Sequence, residues 1–277
     1  MVEKYEISEI GKHLKTCYDL FLGSSSFEDR CFAVINSVEA SLFNNAIIFH
    51  MHEYEEYISK NTAIFKEKLK DNSLFIELFH SDPIISTDKM LHAFKEVSEK
   101  ETIESILIDI STFTHETLLI LIRIINENFK NAEVTFLYTN AADYDTESPK
   151  EEKWLSKGIE EIRTVLGYPG NILPFEKTHL IVIVGYEYER ATSIINAIEP
   201  VSLSLGFGRS DSSTTPDKSW GAKNRFDMLV EDMHTAYSSE NIGSFEVPCN
   251  NPFDTRNEIK KQVEGIQDKN IVIVTLK

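Results

Sequence analysis

The chain has 277 residues, and its 45 Asp and Glu against 28 Lys and Arg give a formal net charge of −17 at pH 7. Proteins that coat duplex DNA or anionic membranes need clustered Lys and Arg, so this balance predicts neither as a partner. Apolar residues make up 42% and charged residues 26%, which is ordinary for a globular chain that can bury its own core without disulfides.

Short apolar runs alternate with amphipathic stretches along the chain. Several runs are apolar on successive residues, which is typical of strands buried on both faces of a parallel sheet. The runs predict strands at Asp19–Leu22, Ala46–Phe49, Leu74–Phe79, Ser105–Ile110, Glu133–Tyr138, His179–Val184, Val201–Leu205, Gly243–Val247 and Asn270–Leu276. Helical spacing predicts helices at Arg30–Phe43, Glu53–Leu69, Asp88–Lys100, His115–Asn128, Leu155–Leu166, Arg190–Ile198, Ala222–Tyr237 and Asp254–Gln267. The alternation predicts an α/β, Rossmann-like fold of mostly parallel sheets with helices on both faces.

A polar, acidic stretch at 141–153 and a loop at 167–177 mark a boundary near the middle of the chain. We therefore expect an N-terminal Rossmann-like domain at 1–150, a connecting helix and loop at 151–177, and a C-terminal Rossmann-like domain at 178–277. One continuous sheet without a boundary is the alternative.

Cysteine usage and the N-terminal residues predict a cytoplasmic protein. The three cysteines include no C-x-x-C pair, and their odd number argues against a disulfide scaffold. The first residues show no basic region followed by an apolar stretch, so no signal peptide is expected. The apolar runs fall short of the roughly 18 residues that a membrane helix needs, so no membrane association is expected either.

The most informative feature is a repeat: 28–40 reads EDRCFAVINSVEA, and 188–200 reads YERATSIINAIEP. The two copies share, without gaps, the pairs Arg30/Arg190, Ile35/Ile195, Asn36/Asn196 and Glu39/Glu199. Each copy follows an apolar strand and a glycine, Gly23 in one and Gly185 in the other. The repeat predicts two related halves that arose by internal duplication.

The position of each repeat, just after a strand, predicts ligand contact at the carboxyl ends of the strands. A glycine allows close approach of a ligand, and the first turn of a helix together with an arginine suits phosphate or carboxylate. The equal alternative is structural, with the acid capping the helix and the arginine tying two elements together. A loop rich in Gly, Arg and hydroxyls after the strand at 201–205 has the same ambiguity. The predicted ligand-binding residues are Gly23, Ser25, Asp29, Arg30, Gly185, Glu187, Arg190, Gly208, Arg209 and Ser210.

Three carboxylates are the predicted catalytic residues. Glu28 and Glu189 accompany the repeats, and Asp109 ends an apolar strand, where a buried acid needs a partner or a function. Such a carboxylate orients a sugar hydroxyl or acts as a base. Ser111 is interpreted as a helix cap, together with Thr112 and Thr114. Tyr138 and Thr139 follow the fifth strand, where they line the same edge and stack on a base or ring or, as the favoured alternative, pack against the protein. Neither repeat contains G-x-G-x-x-G or GK[ST], so no motif supports NAD or ATP, and the cofactor stays unknown.

The sequence therefore predicts a two-lobed α/β protein that binds a phosphate-bearing small molecule, a nucleotide first, and processes it if it is an enzyme. A first alternative is a metal-dependent hydrolase that uses imidazoles and carboxylates at the sheet edge, although no high-specificity metal spacing occurs and no metal ligand is assigned. That set is His50, His52, His80, Asp82 and Asp109. A second alternative is a non-enzymatic regulatory or interaction subunit. A homo-oligomer or a protein partner is left open.

Overall fold

The computed structural model of the chain describes residues 2–141, 159, 161–185, 188–209, 216–248 and 251–276. The chain divides into two compact units, Met1–Asp143 with Thr164–Pro169 and Tyr144–Arg163 with Gly170–Lys277. Each unit contains its own parallel sheet, so the α/β fold with helices on both faces of parallel sheets is confirmed.

The first unit is built on a five-stranded sheet with the order β3-β2-β1-β4-β5, in which every neighbouring pair is parallel. Its strands are β1 (Tyr18–Ser24), β2 (Phe43–Met51), β3 (Ser73–Leu78), β4 (Ser105–Asp109) and β5 (Glu133–Leu137). Successive residues of β1 point to opposite faces, and both faces are buried. Leu20 and Leu22 pack in one core cluster and Phe21 in another. The uninterrupted apolar run of this strand is thereby explained.

Helices cover both faces of this sheet. They are α1 (Ala33–Ser37), α2 (Glu55–Leu69), α3 (Pro83–Ser98) and α4 (His115–Asn128). Two of them begin at side-chain caps. The Asp82 carboxylate accepts from the first N–H groups of α3, and the Thr114 hydroxyl accepts from the Thr117 N–H at the start of α4. The predicted cap at Thr114 is therefore confirmed.

The second unit holds a four-stranded parallel sheet with the order β8-β7-β6-β9. Its strands are β6 (Lys177–Val184), β7 (Ser202–Gly208), β8 (Ile242–Val247) and β9 (Lys269–Thr275), and its helices are α5 (Tyr188–Ile198), α6 (Pro216–Ala236) and α7 (Pro252–Glu264). Counted from the first strand of each unit, the first four strands of both sheets have the same order. The internal duplication itself stays a prediction.

Two predicted helices differ from the structure. The helix expected at 30–43 is a 3₁₀ turn, Asp29–Phe32, followed by the five residues of α1. The second is the helix expected at 155–166. Of this range the structure describes 159 and 161–166, and 161–165 have no regular structure. The boundary between the two compact units falls between Arg163 and Thr164, within the predicted helix. Within the described parts of the chain, none of the helices is long and apolar enough to span a bilayer.

Candidate functional site

The carboxyl edge of the first sheet is divided between β1 and β4. The chain leaves β1 toward β2 and β3 on one side and builds β4 and β5 on the other. In open parallel sheets the loops diverge at such a point and leave a crevice where ligands bind. The segments that reach this point are 24–30 after β1, 109–112 at the end of β4 and 138–139 after β5.

Arg30 connects the segment after β1 with the segment after β5. Its Nε donates to Glu28 Oε2 at 2.6 Å, and its Nη1 donates to the Thr139 carbonyl at 3.1 Å and to the Tyr138 hydroxyl at 3.3 Å. The guanidinium also lies 5.7 Å from the centre of the Tyr138 ring, within cation–π range. The side chain is only 15% exposed. Among the described residues nothing bonds to Nη2.

Asp109 is the buried acid of the site, with only 4% of the residue exposed. Its Oδ1 accepts two hydrogen bonds from Ser111, one from the backbone N–H at 3.0 Å and one from the hydroxyl at 2.5 Å. Within the described part of the chain no donor reaches Oδ2. Buried carboxylates are normally paired through both oxygens, so the fold alone does not account for this side chain.

One hydrogen-bond network joins these two side chains. The Ser111 hydroxyl that donates to Asp109 also accepts from the Thr139 N–H at 2.8 Å, and the Thr139 carbonyl accepts from Arg30. The Thr112 hydroxyl donates to the Ser24 carbonyl at 2.9 Å, which ties the end of β4 to the end of β1. The network therefore holds the Asp109 carboxyl and the Arg30 guanidinium at fixed positions.

Burial sets the protonation of the titratable groups here. It raises the pKa of the Asp109 carboxyl from 3.8 to about 6, because the Ser111 hydrogen bonds and the Arg30 charge offset the desolvation only in part. A carboxyl with this pKa exchanges a proton readily near neutral pH, as a general acid or base must. Burial also raises the pKa of the nearby Cys31 thiol to about 12. Cys31 is therefore a protonated packing residue and no nucleophile.

Other predicted residues of the first unit have structural explanations. The Ser25 hydroxyl is buried 3.0 Å from the Thr62 hydroxyl. A Cβ at Gly23 would lie 3.2 Å from the Phe21 ring, so glycine relieves crowding there. Asp29 is exposed, and α1 is too short for a strong dipole at its N-terminus. Ligand contact by these three predicted residues stays a prediction.

The second copy of the repeat lies at the start of α5. Gly185 follows β6 and is half-buried, whereas Glu189 and Arg190 are exposed in the first helical turn. Glu187 lies outside the described residues. The predicted catalytic and binding roles of this copy stay predictions.

The loop after β7 is described only in part. Gly208 ends the strand, and the exposed Arg209 donates its backbone N–H to the Val247 carbonyl at 2.9 Å. Ser210 lies outside the described residues. The structure thus brings together Glu28, Arg30 and Asp109 of the predicted residues, all in the first unit.

The histidines and acids of the metal alternative do not converge. Among the described residues, one group could hold a metal ion: His52, Glu55 and Glu77, whose ligand atoms lie within 4.8 Å of one another. His52 Nδ1 is 2.8 Å from Glu77 Oε1. Asp82 instead caps α3, and His80 Nδ1 lies 4.0 Å from Glu116. Of the predicted metal-binding set, only His52 belongs to this group. The other two members, Glu55 and Glu77, were not predicted as metal ligands.

The sequence analysis missed the roles of two residues of the network. Thr139 was expected at this edge of the sheet, but it bonds through its main-chain atoms, which any residue offers. Ser111 was interpreted as a helix cap, yet its hydroxyl bonds to Asp109 and Thr139. The signal for Ser111 was available: a hydroxyl two residues after a strand-ending Asp can turn back to that carboxylate. Tyr138 is 55% exposed and bonded to Arg30, so the packing interpretation was incomplete.

Comparisons with known proteins assign no family to this chain. No protein-family model matches this chain, and no curated protein matches it either. Among solved structures, the chain is similar to the UDP-GlcNAc 2-epimerase from Methanocaldococcus jannaschii, with 14% sequence identity and a TM-score of 0.28 over 93% of this chain and 77% of the epimerase chain. A similarity of this size carries no statement about ligand or reaction. The fold and the site define an α/β protein with a polar hydrogen-bond network at the carboxyl edge of its first parallel sheet.

Proposed function

We propose that this protein binds a nucleotide or another phosphate-bearing small molecule at the carboxyl edge of its first sheet, with Arg30 holding the phosphate. The observation that supports the proposal is the guanidinium itself, which is largely buried and bonded at Nε and Nη1 and has no partner at Nη2 among the described residues. A guanidinium held in this way loses little side-chain entropy when a ligand arrives. Its planar N–H groups match the oxygens of a phosphate.

The surroundings of Arg30 also favour a ligand with a ring. The Tyr138 ring lies beside Arg30 and is 55% exposed, so it offers a flat apolar face next to the phosphate position. Aromatic faces of this kind stack on bases and pack against sugars.

The proposal is tested by the melting temperature of the protein with nucleotides, sugar phosphates and pyrophosphate, each with and without Mg²⁺. A ligand at about 100 times its Kd adds roughly 2.7 kcal/mol of apparent stability, which is a shift of several degrees. Arg30→Ala is expected to lose that shift. Arg123→Ala is the matched control, because Arg123 is an exposed arginine of the same unit, 3.1 Å from Glu127. An unchanged shift in Arg30→Ala, or no shift with any of these ligands, contradicts the proposal.

Divalent-metal binding by His52, Glu55 and Glu77 is the second candidate, supported by the ligand atoms that lie within 4.8 Å. Imidazole and carboxylate are ligands that Zn²⁺ and Mn²⁺ accept. Calorimetric titration of protein without a His-tag, with each metal alone, is expected to show one site that His52→Ala removes. His92→Ala, an exposed histidine of α3, is the control. Equal binding by both variants contradicts this candidate.

A further inference from the structure

The oxygen of Asp109 that has no partner is the polar atom of the site that the protein itself leaves unused. The residue is 4% exposed, and both donors that reach the carboxyl, the backbone N–H and the hydroxyl of Ser111, bond to Oδ1. A buried oxygen without a hydrogen bond costs stability, and a ligand that donates to it recovers that cost.

We propose that Oδ2 of Asp109 accepts a hydrogen bond from a sugar hydroxyl of the ligand, so that the site selects ribonucleotides over the corresponding dideoxynucleotides and over free phosphate. The inference rests on the proposed function, because Arg30 must hold the phosphate for the sugar to reach Asp109. It assigns two roles to two side chains. Arg30 binds the charge of the ligand, and Asp109 determines its specificity.

The charges at the site favour a neutral donor over a cationic one. Arg30 lies close enough to Asp109 to act on its charge, and its hydrogen-bonded carboxylate is Glu28. A ligand ammonium near Asp109 would also experience the positive charge of Arg30 and be repelled by it. A hydroxyl brings no second cation, and an O–H bond to a carboxylate is short and strong. Sites built to bond a hydroxyl reject the analogue that lacks it, because the buried acceptor is then left unpaired.

The experiment is calorimetric titration with AMP, 2′,3′-dideoxy-AMP and inorganic phosphate as probes. In the unaltered protein, AMP is expected to bind about 10- to 100-fold more tightly than dideoxy-AMP, the range for a hydrogen bond to a charged group. Asp109→Ala is expected to weaken the binding of AMP by that factor and to leave the affinity for dideoxy-AMP unchanged. Asp109→Asn, which keeps the shape of the side chain, is measured beside it, with circular dichroism to confirm that both variants fold. Asp88→Asn, at an exposed position on α3, is the control.

The outcomes separate this inference from the proposed function. Equal affinity for AMP and dideoxy-AMP in the unaltered protein, with both weakened by Arg30→Ala, overturns the inference and leaves the proposed function standing. Equal weakening of both nucleotides by Asp109→Ala overturns it as well, because Asp109 would then contact the base or the phosphate. No binding of AMP, dideoxy-AMP or phosphate to the unaltered protein overturns the inference, whereas the proposed function is overturned only if the whole panel of nucleotides, sugar phosphates and pyrophosphate fails to raise the melting temperature.

Discussion

The two units place the same short motif in different surroundings. In the first unit, Arg30 is 15% exposed and bonds to groups of Glu28, Tyr138 and Thr139. In the second, the matching Arg190 is exposed in the first turn of α5. Both arginines follow the first strand of a sheet whose first four strands have the same order. The repeat therefore marks a position in the fold, and in the first unit the loop after β5 supplies partners to the arginine at that position.

The largest effect on stability is expected from Asp109, which belongs to the site of the first unit but lies outside the repeat. The pKa of its carboxyl rises from 3.8 to about 6 on folding because it is buried. The folded protein therefore binds more protons than the unfolded chain between these pH values, so stability falls as the pH rises through this window. Above pH 6 the buried carboxylate is charged, and it lowers the free energy of unfolding by its full amount, on the order of 3 kcal/mol.

Replacement of the carboxyl removes this pH dependence. Asp109→Asn is expected to flatten the dependence of the unfolding free energy on pH between about 4 and 6, measured by urea denaturation. Asp88→Asn, at an exposed position, is expected to leave the slope as it is in the unaltered protein. An equal slope in Asp109→Asn and in the unaltered protein would mean that this carboxyl titrates normally.

The arginines themselves give the direct test of the comparison. Arg30→Ala is expected to cost about 2 kcal/mol, because the Glu28 carboxylate and the Thr139 carbonyl lose their donor. Arg190→Ala is expected to change the stability by less than about 0.5 kcal/mol, because the side chain is exposed. Thermal unfolding of both variants measures the difference. Equal losses would show that the two units use their arginines alike, and the comparison would fail.

Much of the fold could be predicted from the sequence, because burial on both faces leaves a plain signal. Ile106 and Ile108 of β4 pack in one core cluster and Leu107 in another, so the three central positions of the strand had to be apolar. Helical spacing was a weaker guide at 155–166, where the described residues 161–165 have no regular structure. Periodicity reports which residues can share a face, and it carries no information on where the chain passes between units.

The site could be predicted only in part, for a similar reason. Asp109 was visible as an acid that ends an apolar strand. Its environment was not, because that depends on β5 lying next to β4, where Asp109 pairs with Leu137. This pairing brings Thr139 to Ser111, and the contact runs through a main-chain N–H that leaves no mark in the sequence.

A smaller loss of stability is expected from replacement of Ser111, which tests the hydrogen-bond network of the first unit. Its hydroxyl donates to Asp109 and accepts from the Thr139 N–H, so Ser111→Ala is expected to cost about 1–2 kcal/mol at pH 5. The same change removes a bond that favours the charged carboxylate, so the pKa of Asp109 is expected to rise further. Carboxyl NMR titration of both proteins measures this. An unmoved titration curve would show that the hydroxyl does not act on the acid.

The smallest effect concerns the second unit, where the pH dependence has the opposite sign. His179 is buried, with Nδ1 2.8 Å from the Ser202 hydroxyl and Nε2 3.1 Å from the Ser204 hydroxyl. Burial lowers the pKa of this imidazole, and the charge of Lys269 lowers it further. As the pH falls, the unfolded chain therefore binds a proton at this histidine before the folded protein does. The contribution of the neutral imidazole to stability is fully present above the unfolded pKa of about 6.5 and is lost as the pH falls below it.

Hydrogen exchange of the β6 amides, corrected for the intrinsic effect of pH, measures this loss. Protection is expected to fall below pH 6.5 by no more than about 1.4 kcal/mol per pH unit, the slope of one proton. His179→Gln is expected to remove the slope, and His234→Gln, at an exposed position on α6, to keep it. Protection of β6 that does not change with pH would contradict the assignment. If both signs hold, acid strengthens the first sheet at Asp109 and weakens the second at His179, so the two units are distinguishable by pH alone.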